Sequence, residues 1–168
     1  MQPASFLPVI ADLAVSVAGF TAVIATLRVG QPGPWERHEL IRTIGAVAIC
    51  LVTIICAALP FSISGFDVDP TLQWSVPLLL SGFANLVILA WFLSQRLKGN
   101  FPLMVPWVSV PTIIILTMLS LASIVSGLGL FLPFSSGLLI IQLSWTICAA
   151  AITLVVTFAI TVKKQHDV

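Results

Sequence analysis

The stretch FLPVIADLAVSVAGFTAVIATL, residues 6–27, followed at once by Arg28, decides the fold. As an α-helix it runs about 33 Å, enough to cross the hydrocarbon layer of a bilayer. It holds one ionisable residue, Asp12, and is followed by a cation. A cleaved export signal is the competing reading of an apolar N-terminal stretch. That reading calls for a positive charge ahead of a shorter apolar run. Met1-Gln2-Pro3-Ala4-Ser5 carries none, so the sequence predicts a retained helix with Arg28 at its cytoplasmic end.

Four further apolar segments follow, at about residues 41–61, 76–93, 106–130 and 138–162. Glycine, proline and polar residues separate them: 29–34, 64–70, 95–100 and 132–137 read as turns. Trp74 and Trp91 flank the third segment, as in an interfacial aromatic belt. Pro106 suits a first helical turn, and Pro111 marks either a kink or the true start of the fourth segment. The whole chain is 59% hydrophobic and only 8% charged, against about 25% charged for a soluble domain. Lipid is the solvent such a surface needs. Only helices or closed barrels satisfy every backbone group in lipid. Barrel strands alternate over about ten residues, and runs such as Ile113-Ile114-Ile115-Leu116 and Ala149-Ala150-Ala151-Ile152 do not. The expected fold is all-α, a polytopic transmembrane helix bundle of about five helices in a single unit over residues 1–168.

Orientation follows from charge. With five spans, Arg28, Arg37, Arg42, Arg96, Lys98, Lys163 and Lys164 all fall on one side, and the opposite turns carry only Asp67 and Asp69. Basic residues accumulate in cytoplasmic loops, so the N-terminus is expected outside and the C-terminus in the cytoplasm. An odd number of spans fits poorly with two equal inverted halves.

Val17-Ala18-Gly19-Phe20, the basic turn after it, Glu39-Leu40-Ile41-Arg42 and Leu59-Pro60 give the first 60 or so residues a further likeness. The chain resembles a loose group of small bacterial multi-spanning membrane proteins that lack an assigned activity. The resemblance implies a five-helix bundle with an exterior N-terminus, in the bacterial inner membrane. It implies no chemistry.

Depth along each helix sorts the polar groups. Asp12 lies roughly 9 Å below the outer end of the first helix, with Ser16 one turn further in. Asn85, Ser123, Ser126 and Gln142 fall in the same outer half of the bilayer. The expectation is one polar cluster of Asp12, Ser16, Asn85, Ser126 and Gln142. Its functional form would be a proton- or cation-handling carboxylate, and its structural form a helix-packing group. Small residues let helices approach closely, which marks Ala14, Ala18 and Ala22, then Ser123 and Gly127, then Ala149, Thr153 and Thr157 as contact rows. At the cytoplasmic surface, Glu39 and Arg42, with Glu36, Arg37 and His38, read as a solvated helix end, or as a site for anionic lipid or a partner protein. Cys50, Cys56 and Cys148 read as small core residues.

Catalytic patterns are sparse. No His lies in a span to ligate haem, and a lone intramembrane Asp makes no carboxylate dyad. There is no Gly-x-Ser-x-Gly elbow, phosphate-binding glycine loop, metal-binding spacing or basic run for nucleic acid. No enzyme activity, cofactor or metal is expected. Two functions remain. The first is a non-enzymatic membrane protein that assembles with itself or with a partner membrane subunit. The second is a small proton- or cation-linked transporter or channel using Asp12 and the outer-leaflet cluster. That path has little to continue it inward beyond Thr53, Thr117 and Thr157.

Overall fold

A computed structural model describes residues 3–29, 37–66, 69–99, 106–130 and 135–166. It is all-helical. After a short 3-10 turn at Pro3–Phe6 come α1 (Leu7–Val29), α2 (Arg37–Ser64), α3 (Pro70–Leu97), α4 (Pro106–Gly127) and α5 (Ser135–His166). Each of the five is long and apolar enough to span a membrane. Parts of the expected turns at 29–34, 64–70, 95–100 and 132–137, with Glu36 and Asp67, lie outside the described residues.

Most of the helices are longer than the apolar segments that announce them. Helical hydrogen bonding continues past the hydrocarbon boundary wherever polar residues can cap or be wetted. α3 is the clearest case, starting at Pro70 where the apolar pattern suggests about 76. Asp69 is its N-cap and Pro70 its first residue, a pairing suited to a helix start. Pro60, Pro77 and Pro111 all lie inside helices.

Pairings between helices give the topology. Arg28 meets Glu39, while Leu7, Ile10 and Ala14 share a core with Cys56 and Ala57, so α1 and α2 are antiparallel. Gln73 Nε2 donates to Pro60 O at 3.0 Å at one end of α2 and α3, and Gly45 lies against Phe92 at the other. Gly127 packs on Ser75 and Leu79, and Gly82 on Ser120 and Ile124, so α4 runs back along α3. α5 lies in the middle of the packing, with Leu139, Leu143 and Ile147 joining the core of α1 and α2. The bundle is up-down-up-down-up. Arg28, Arg37, Arg42, Arg96 and Lys98 gather at the end opposite the N-terminus, where α5 also ends with Lys163 and Lys164.

The contact face of α1 differs from the expected Ala14–Ala18–Ala22 row. Ala14 is buried, Ala18 half-buried and Ala22 exposed. Steps of four drift about 40° around the helix each time, because four residues exceed one 3.6-residue turn. The observed line is Leu7, Ile10, Ala14, Val17, Thr21, alternating three and four. Ser123 and Gly127 do face a neighbour, and Ala149 is buried with Thr153 half-buried; the side chain of Thr157 lies outside the description. Cys50 and Cys56 are core residues, whereas Cys148 is exposed on the outer face of α5.

Candidate functional site

The closest helix approach builds the most polar part of the interior. A Cβ on Gly82 would come within 2.9 Å of the Ser120 carbonyl oxygen, and one on Gly127 within 3.1 Å of that of Ser75. Glycine lets α3 and α4 pack backbone to backbone there. Ser120, Ser123, Ser126 and Gly127 lie along α4 facing this contact, all buried. From the third side α5 inserts Gln142. Its Oε1 accepts from Ser81 Oγ of α3 at 3.2 Å and from Ser123 Oγ of α4. One amide thus joins three helices. Thr146, a turn along α5, donates to the carbonyls of Gln142 and Leu143.

The node is not saturated. Among the described residues, Gln142 Nε2, Asn85 Nδ2 and Ser120 Oγ are buried without a hydrogen-bond partner. Gln142 and Ser120 are 0% exposed and Asn85 1%. Asn85 stands one turn along α3 from Ser81, and Ser120 nearly one turn along α4 from Ser123. Each unmet buried donor costs about 1–3 kcal/mol.

A second polar group occupies the basic end of the bundle. Arg28 Nε donates to Glu39 Oε2 at 3.2 Å, tying α1 to α2. Glu39 is 2% exposed and Arg42 4%, so these two are buried where a solvated helix end was expected, while Arg37 is exposed and His38 half-buried. Both face neighbouring helices: Glu39 meets Arg28 of α1, and Arg42 lies beside Thr153 and Leu154 of α5. A cleft of about 10 Å³, room for one water, lies beside Arg42 between Thr21, Ile24, Thr43, Ala46, Thr153 and Leu154. The Thr21, Thr43 and Thr153 hydroxyls donate to Val17 O, Glu39 O and Ala149 O at 2.8, 2.9 and 2.8 Å. Their protons are committed to their own helices, so the threonines offer oxygen lone pairs to the cleft that Arg42 also lines. That lining suits a guanidinium rather than a bound anion.

The five residues expected to form one cluster separate into two places. Asn85, Ser126 and Gln142 are buried. Asp12 and Ser16 lie on the exposed side of α1, with Ser16 Oγ donating to the Asp12 carbonyl at 2.9 Å. Depth along each helix was the whole basis for grouping them, and Asp12 points away from the bundle. Ser81 and Ser120 complete the node without having been singled out from sequence. Their signal was available: Ser81 adjoins Gly82, the lone glycine of α3, and Ser120 continues the Ser123–Gly127 row of α4. Among the described residues no three His, Cys, Asp or Glu side chains come together. Comparisons with protein-family models, with curated proteins and with solved structures find no match for this chain.

Proposed function

We propose that this chain is a non-enzymatic, multi-pass protein of the bacterial inner membrane that works by assembly. The N-terminus lies outside and the C-terminus in the cytoplasm, as the one-sided basic residues and the resemblance of the first two helices support. It joins a second copy or a partner membrane subunit through the outward face of α1. The observation that carries this reading is Asp12, an exposed carboxylate about 7 Å inside the start of α1. Ionisable groups within a span seldom face lipid alone. Beside it on α1 lie the exposed Ser16 and Gly19, and nothing within 4 Å meets a Cβ on Gly19. A small, polar helix face of this kind accepts another helix at close range.

Site-directed cross-linking in native membranes tests the reading. With Cys148 replaced by Ala, Ser16→Cys should form a specific cross-linked product, to itself or to a companion protein. Gly19→Leu should remove that product while the bundle still folds. Absence of any product at Ser16, with a monomer on mild extraction, would defeat the proposal. A transporter that handles protons or cations through Asp12 would need that carboxylate inside the bundle, and no observation favours it.

A further inference from the structure

We propose that the node between α3, α4 and α5 is a hydrated site within the membrane layer, where ordered water is the ligand of Asn85 Nδ2, Gln142 Nε2 and Ser120 Oγ. The inference starts from Gln142. Its carbonyl oxygen is occupied by Ser81 and Ser123, which leaves both N–H bonds of its Nε2 without an acceptor among the described residues. Asn85, next along α3, and Ser120, next along α4, add further donors in the same condition. All three residues are essentially sealed from the outside. Ser123 of α4, and Ser81 of α3 whose hydroxyl is shared with Leu78 O at 3.1 Å, hold the Gln142 amide from two helices.

The chemistry of these groups selects the ligand. The unmet groups on Asn85 and Gln142 are donors, and the Ser120 hydroxyl can donate as well as accept, so the ligand must offer lone pairs. Among the described residues the buried charges are Glu39 and Arg42, both on α2. An anion would sit in a low-dielectric interior with no counter-charge beside it, which is costly. A cation would face N–H groups. A neutral molecule that accepts from amides and then donates onward meets both conditions. Water does this, typically with about three hydrogen bonds at a buried site. The Ser81 and Ser123 hydroxyl oxygens supply acceptors for its protons. The site rests on the interior packing of one chain and is independent of the assembly proposed through α1.

Nuclear magnetic resonance in lipid nanodiscs tests it. The side-chain NH2 signals of Asn85 and Gln142 should show magnetisation transfer from water and should exchange in deuterated buffer while the backbone amides of the same turns stay protected. The alternative is a dry node in which no water is bound and the donors of Asn85, Gln142 and Ser120 stay unmet. Both NH2 groups would then show protein contacts alone, with no transfer from water, and the proposal would fall. Stability supplies a second arm with opposite signs for the two cases. With water bound, Asn85→Leu removes one of its partners, so the unfolding midpoint should fall and the water signal at Gln142 should weaken. In a dry node the same change removes an unmet donor, and the midpoint should rise. Should Asn85→Leu fail to fold, Ser120→Ala is a smaller change that reads the same way: a weakened water signal at Gln142 supports the site, and an unchanged one overturns it.

Discussion

At the head of α3 the Asp69 carboxylate accepts from Thr71 N at 2.9 Å and from Thr71 Oγ1 at 2.7 Å. The backbone bond first, then the hydroxyl bond, favours the ionised carboxylate and holds its pKa below the ordinary value. A lowered folded pKa contributes stability above the unfolded pKa, about 3.9. That contribution is lost as pH falls through this value toward the lower folded one. Acidification through pH ~4 should therefore speed hydrogen exchange at the Thr71 amide and fray the first turn of α3. Asp69→Asn keeps a capping oxygen but has nothing to protonate, so its Thr71 exchange should lack the acid step. An identical acid response in that variant would place the titrating group elsewhere. The same dipeptide, Asp69-Pro70, is a start signal that apolar counting passes over, because it lies outside the lipid-matched stretch. Glu39 and Arg42 were hidden for a related reason. Charged residues at a helix end look wet, and only the packing of α1 and α5 over them removes the water.

For whole elements, the close approach of α3 and α4 has a direct consequence. In Gly82→Ala the new methyl would meet the Ser120 carbonyl oxygen at 2.9 Å and Ile124 Cγ1 at 2.7 Å. Backbone cannot yield there, so the helices must part, at about 1–3 kcal/mol for overpacking. Gly137→Ala meets nothing within 4 Å, and alanine is the better helix former by up to ~1 kcal/mol. Unfolding in mixed micelles should show a clear loss for the first and none for the second. Equal effects would refute the backbone-to-backbone contact. Five helices, their order and their approximate centres were legible because lipid demands long apolar runs. Which side of each helix faces inward was not. Leu13 is exposed and Leu143 buried, with the same chemistry, since hydrocarbon and protein core are equally apolar. This is why Asn85, Ser126 and Gln142 could be matched in height while Asp12, at a matching height, faces the other way. Sequence gives distance along a helix axis, and the angle around it comes only from packing.

For the molecule as a whole, charge is distributed by end rather than by face. Arg28, Arg37, Arg42, Arg96 and Lys98 lie at one end, and Asp69 at the other. A bundle with no such bias would insert either way round, because the apolar spans are indifferent to direction. Cationic residues resist translocation, and the gathering of Arg28, Arg37, Arg42, Arg96, Lys98, Lys163 and Lys164 at one end is expected to set one orientation. The prediction is that Phe66 faces the outside and Lys98 the cytoplasm. Both are exposed, at opposite ends of the bundle, and both tolerate replacement without touching the core. In a background where Cys148 is Ala and the buried Cys50 and Cys56 are kept, Phe66→Cys should react with a membrane-impermeant maleimide on spheroplasts with an intact inner membrane. Lys98→Cys should react only after the membrane is opened. The reverse pattern would invert the bundle, and Asp12 would then sit in the inner leaflet, where an assembling partner would have to meet it from the cytoplasmic half.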